Sequence, residues 1–157
     1  MKRTHLMPLA VLASAAIAAP LAAVAVAAAQ PSAHASRAAK IQLRRTSLGK
    51  ILVDTAGFTV YRFGKDTGKR NTCVASRACS AAWPALTTSG SPTAGPGVNA
   101  SLLSTIRLAN GSRQVTYAGH PLYRYAATSE RAETSYAGIE QFGGKWYAVN
   151  STGRNVK

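Results

Sequence analysis

The chain has 157 residues, with 19 Lys and Arg against 5 Asp and Glu, for a formal net charge of +14 at pH 7. Once a leader is set aside, that length holds one ordinary domain and is too short for two. The charge attracts polyanions through a field that salt screens, and it bears on association rather than on fold; a lineage that simply favours Arg would leave the same surplus.

Residues 1–35 read as a secretory signal peptide: Lys2 and Arg3, an uncharged apolar run to Ala29, then Ala33 and Ala35 at the small-residue positions before a cut. The same run is long enough for a retained membrane anchor. Its alanine-rich composition and the breaks at Pro8 and Pro20 favour cleavage instead. No Cys lies near the cut, which excludes lipid attachment there. Removing 35 of 157 residues leaves 122, and with Lys2 and Arg3 gone the basic side chains number 17 against 5 acidic ones.

Residues 36–47, SRAAKIQLRRTS, are basic and poor in large apolar groups. They are expected to form a flexible basic arm. The folded domain is then expected over 48–153, as a first repeat at about 49–86, a linker at 87–99 and a second repeat at about 104–149.

The first repeat opens with two apolar-alternating runs, 51–54 and 59–63, separated by Ala56-Gly57, which is a β-hairpin pattern. Tyr61 and Phe63 lie two apart and therefore share one face of a strand. They form either the core of the domain, the favoured reading, or an exposed platform on which a sugar, haem or quinone stacks. Asp66 follows the strand and is expected to cap its turn by accepting an N–H from Gly68 or Lys69, or to pair with a nearby Arg.

Cys73 and Cys79 are the only cysteines. In an exported chain such a close pair is most simply a disulfide. A metal site lacks partners, because His120 is the only histidine left after cleavage, and five residues between the cysteines do not fit a C-x-x-C redox motif. A short helix is expected around 78–82, ending before Trp83-Pro84 because a residue preceding proline avoids helical geometry. The linker, TTSGSPTAGPGVN, is rich in Gly and Pro and is expected to be irregular.

The second repeat carries Asn110-Gly111 and then Ala118-Gly119 between apolar runs, the pattern of a three-stranded meander. Gly143-Gly144 marks one more hairpin. GHPLYRYAATS at 119–129 echoes GFTVYRFGKDT at 57–67, with an offset of 62 that pairs Tyr61 with Tyr123, Arg62 with Arg124 and Val53 with Val115. Two β-rich units of one type should share a sheet or stack, since a hairpin is marginal alone. The fold class is therefore mainly β: two tandem hairpin or meander repeats packed as one small domain, with a short helix or turn at the cysteine loop.

The phrases GKILVDTAGFTVYRFGKDT, CSAAWPAL, LANGSRQVTYAGHPLYRYA and FGGKWYAV, in this order, resemble a bacterial secreted repeat family of unknown function with a Y-x-(F/W/Y)-x-x-D motif, often described as predicted lipoproteins. The resemblance implies that Tyr61, Phe63 and Asp66 form a complete first motif. In the second copy Tyr123 and Tyr125 fit, while Thr128 stands at the acidic position. The cysteine spacing and Trp83-Pro84-Ala85 depart from the family pattern, and the lipobox cysteine is absent. The resemblance implies a secreted protein and supplies no activity.

A Ser-His-Asp set could be drawn from His120, Asp66 or Asp54 and one of many serines, but no G-x-S-x-G elbow and no phosphate-binding glycine motif occurs. The expectation is a monomeric, non-catalytic protein of the cell envelope with no metal or cofactor. Its basic surface would bind anionic cell-wall polymer or acidic lipid headgroups rather than a specific nucleic acid. Two clusters are candidates for anion binding: Arg37, Lys40, Arg44 and Arg45 on the arm, and Lys65, Lys69, Arg70 and Arg77 around the cysteine loop. The competing expectation is an extracytoplasmic redox or cofactor-associated protein that uses the aromatic face or the cysteine pair.

Overall fold

The computed structural model describes residues 38–68 and 70–157; the expected signal peptide, Arg37 and Lys69 lie outside them. No helix among the described residues is long and apolar enough to cross a membrane. The chain is mainly β. Strands β1 (Lys40–Thr46), β2 (Gly49–Val53) and β3 (Tyr61–Phe63) precede helix α1 (Arg77–Ala82), and β4 (Thr87–Thr88) and β5 (Thr93–Ala94) follow it. The second half holds β6 (Leu103–Arg107), β7 (Arg113–Tyr117), β8 (His120–Pro121), β9 (Glu140–Gln141), β10 (Gly144–Val149) and β11 (Asn155–Val156).

The hairpins stand where the turn residues predict them. Thr59 pairs with Val53 across a turn that holds Gly57 at φ 87°, β6 pairs with β7, and β7 with β8. The turn between β7 and β8 places Ala118 at φ 50° and Gly119 at φ 80°, the two positive dihedrals that a two-residue hairpin needs. The short helix forms one residue earlier than expected, with Ser76 capping it by accepting the Cys79 N–H at 3.3 Å.

The expected flexible arm is corrected by the structure over residues 40–46. These residues form β1, which pairs antiparallel with β2 from Gln42 to Thr46 and parallel with β5 at Lys40 and Ile41. Ile41 is fully buried among Leu52, Val60 and Leu122. Its alternation with Leu43 is short and flanked by basic side chains that point outward, so composition conceals a half-buried strand. The linker is likewise more ordered than expected, because β4 pairs with β7 and β5 with β1.

The two repeats do not fold side by side as separate meanders. The last strand of each pairs with the other: Thr87 stands opposite Gln114 and Ala85 opposite Tyr123, while Asn150 stands opposite Ile51 and Ala148 opposite Tyr61. Between the two sets the offset is 63 for residues 85, 87 and 51, and 62 for Tyr61, so a pseudo-two-fold axis relates the halves. The offset of 62 is thus not constant along the chain. Thr59 faces Val53 and Pro121 faces Thr116, which makes Thr116 rather than Val115 the counterpart of Val53. One residue fewer in the second turn accounts for the slip, and sequence identity at Val53 and Val115 conceals it.

Side chains on the inner faces form an aliphatic cluster of Ile41, Leu52, Val60, Val115, Leu122 and Val149, and an aromatic cluster described below. Because Ile41 joins the aliphatic cluster, β1 is required by the core. Ile41→Ala should cost about 2–5 kcal/mol, the range for deleting a buried aliphatic side chain. A chain lacking residues 38–45 should show no cooperative unfolding in urea. A deletion variant that melts like the parent would restore the flexible arm.

Candidate functional site

The repeated Tyr-Arg-aromatic phrase meets itself on the pseudo-two-fold axis. Tyr61 N–H donates to the Tyr123 carbonyl at 2.9 Å, and Tyr123 N–H donates to the Tyr61 carbonyl at 2.9 Å. Alternation then sends both rings inward and Arg62 and Arg124 to the other face. Trp83 and Trp146, each the first residue of its crossing segment (WPAL and WYAV), stack with centroids 3.8 Å apart and planes 6° apart. Phe63 stacks on Trp146 at 4.4 Å, and its counterpart Tyr125 lies on Trp83 at 4.7 Å.

Tyr61, Phe63, Tyr123, Trp83 and Trp146 are all buried, so these positions are core. The aromatic platform for a sugar, haem or quinone is closed at Tyr61, Phe63 and Tyr123; Tyr125 alone of the motif aromatics remains half-buried. The Trp83 indole donates to the Gln141 side chain at 2.9 Å, whereas the Trp146 indole nitrogen is buried with no partner among the described residues.

Each tyrosine hydroxyl reaches the loop of the opposite repeat. Tyr123 OH donates to the Asp66 carboxylate at 2.5 Å, and Tyr61 OH donates to the Glu133 carbonyl at 2.9 Å. Asp66 is buried and also accepts from the Thr72 N–H at 2.8 Å and the Thr72 hydroxyl at 2.7 Å. The expected cap on Gly68 is therefore replaced by one that spans the loop, and the ion pair of the described residues is Arg124 with Asp54 at 3.3 Å, not one to Asp66. In the second repeat the donor and acceptor exchange places: Thr128, at the acidic position, donates to the Glu133 carboxylate at 2.6 Å. The acid missing from the motif is supplied five residues later.

Cys73 and Cys79 are joined by a disulfide with Cα atoms 5.3 Å apart, and both are buried in the aromatic cluster. The bond ties the Asp66–Thr72 loop to α1. Arg62 Nε and His120 Nδ1 are buried without hydrogen-bond partners among the described residues. Burial, then Arg62, pushes the His120 imidazole below its ordinary pKa, against an opposing pull from Asp66. His120 makes no hydrogen bond to either candidate acid among the described residues, since Asp66 is engaged with Thr72 and Tyr123, and Asp54 with Phe58 N–H and Arg124.

The basic candidates are distributed unevenly. Arg44 and Arg45 are exposed on β1 and line an open groove of about 320 Å³ with Lys50, over a wall of Leu43, Pro96 and Gly97. Lys50 was missed by sequence reasoning; the signal was its place one hairpin turn after Arg45, which it faces in the ladder. Lys40 is half-buried at the start of β1. Lys65 runs over Gly144, where an added Cβ would lie 2.7 Å from its Cγ, so it belongs to the β9–β10 hairpin rather than to the cysteine loop. Arg70 and Arg77 are exposed.

The geometry defines an interlocked two-repeat β domain. The chain matches a family described as a secreted repeat of unknown function over residues 43–87 and again over 104–150, more than half of its length, and it belongs to that family. The first match begins within β1, in agreement with the strand found there. No curated protein and no solved structure matches the chain.

The two central phenols make the domain sensitive to alkali. Burial raises the pKa of Tyr61, and burial followed by the hydrogen bond to Asp66 raises that of Tyr123 further, both beyond the ordinary phenol value of 10.0. Groups whose folded pKa is raised contribute fully below the unfolded value and lose that contribution as pH rises above it. Stability should therefore fall above about pH 10. Tyr61 and Tyr123 should ionise only as the protein unfolds, read by absorbance at alkaline pH. Tyr123→Phe should remove part of that dependence and cost about 1–3 kcal/mol at neutral pH, because Asp66 loses a buried donor. Six phenols titrating together in a folded protein would contradict this arrangement.

Proposed function

We propose that the protein is a non-catalytic binding module of the bacterial cell exterior, exported by cleavage after Ala35, that holds anionic cell-wall polymer in the groove of the β1–β2 hairpin. The observation that carries this reading is the pairing of Arg45 with Lys50 on one face of the β1–β2 hairpin, beside a groove that Arg44 also lines and in which no acidic side chain takes part. Among the described residues the ion pair is elsewhere, at Arg124 and Asp54. Cations on paired positions of two strands share a face and can engage successive anionic groups of a polymer, and the rigid hairpin removes the ordering cost that a flexible arm would carry. Leu43 offers an apolar wall to the polymer backbone. Lys65, Arg70 and Arg77 add to the long-range field.

Phosphocellulose serves as the anionic polymer and phosphatidylglycerol vesicles as the acidic lipid. Polymer binding should be measurable at low salt and fall steeply towards physiological ionic strength, where the Debye length is about 8 Å. Replacing Arg44, Arg45 and Lys50 by Gln should weaken it roughly tenfold, or about 1.4 kcal/mol. The same change at Lys65, Arg70 and Arg77 should have a smaller effect. Binding independent of salt, equal loss in the two triple variants, or preference for the vesicles would overturn the reading.

A further inference from the structure

The internal symmetry makes one half of the molecule a reference for the other. In the β3–β10 ladder Arg62 stands opposite Tyr147, so the two side chains share the outer face. The Tyr147 ring lies over Gly64, where an added Cβ would sit 3.2 Å from Tyr147 Cε2. In the other half Arg124 N–H donates to the Pro84 carbonyl at 3.0 Å, Ala126 N–H to the Ala82 carbonyl at 2.9 Å, and Gly64 N–H correspondingly to the Lys145 carbonyl at 2.7 Å. Pro84 thus replaces Tyr147, and Ala126 replaces Gly64. Proline cannot reach across the strand, and the space left open is a groove of about 450 Å³ along residues 84–87 and 124–126.

We infer that this groove binds a neutral, planar aromatic molecule of phenol size, in the place that the Tyr147 side chain fills on the other half. The volume is that of a small-ligand site. Pro84 and Ala126 give the outer-face groove a small apolar lining, while the Tyr125 ring turns inward onto Trp83, 4.7 Å between centroids. The ligand is neutral because Arg124 is already committed: its Nε lies 3.3 Å from the Asp54 carboxylate, and its guanidinium lies 4.9 Å from the centre of the Phe58 ring. The exposed Thr87 hydroxyl at the end of the groove suits a phenolic oxygen. A free molecule fits better than a tyrosine of a partner chain, because the Arg124, Ala126 and Leu86 N–H groups are all paired within the domain and an extended peptide finds no open ladder beside the groove. The lining residues are separate from those of the basic groove.

The test is amide chemical-shift mapping of the mature protein with p-cresol, the side-chain analogue of tyrosine. Shifts should concentrate at residues 85–87 and 124–126, and 4-methylcyclohexanol, of similar size but not planar, should bind severalfold more weakly. Pro84→Tyr should fill the groove and weaken p-cresol at least tenfold; Pro84 is exposed, so the fold should tolerate the ring. Ala126→Gly should deepen the floor and tighten binding severalfold, and this arm decides alone if Pro84→Tyr does not fold. Shifts centred elsewhere, unchanged affinity in Pro84→Tyr, or weaker binding in Ala126→Gly would overturn the inference. A tyrosyl tripeptide binding more than tenfold tighter than p-cresol would overturn the free ligand and assign the groove to a polypeptide.

Discussion

The domain depends on a mutual pair of backbone hydrogen bonds between Tyr61 and Tyr123, each 2.9 Å long, on the axis that relates its halves. Two equivalent strands that pair with each other must each offer their remaining edge to a crossing segment, and those segments are the Trp83–Leu86 and Trp146–Val149 stretches. Ala148 takes the free side of Tyr61, and Ala85 that of Tyr123. The tryptophans that lead these segments then have no place to go except against one another. Stacked aromatic pairs contribute about 0.5–1.5 kcal/mol beyond their buried area. Neither repeat can complete a sheet or a core without the other.

Symmetry also shows what has diverged. Asp66 with Thr72 and Thr128 with Glu133 are two solutions to the same need, anchoring the loop into which the opposite tyrosine points its hydroxyl. The disulfide strengthens only the first of these loops. On the outer face Tyr147 covers one half, and Pro84 leaves the matching groove open.

The sequence made the strands of each repeat legible, because Ala56-Gly57, Asn110-Gly111 and Gly143-Gly144 mark turns and the runs beside them alternate. It made the disulfide legible through compartment and cysteine count. Interlocking was not legible. Equivalent strands of two repeats present the same alternation, so a pattern that fits pairing within a repeat fits pairing between repeats equally well. The strand β1 was hidden by the charges beside Ile41, and the basic groove with it, since Lys50 joins Arg44 and Arg45 only once the hairpin has folded. One signal was present and overlooked: WPAL and WYAV repeat at an offset of 63, one more than the tyrosine phrase.

A protein built this way offers its outer faces on an indivisible core. The basic hairpin and the open groove both lie on elements fixed by the crossing strands. Native-state hydrogen exchange tests the interlocking most directly. The amides of Tyr61 and Tyr123 should exchange with the same free energy, equal to that of global unfolding, and no set of amides from one repeat should open as a unit while the other stays protected. Separate opening of residues 49–86 and 104–149, with different free energies at the two tyrosines, would contradict the account.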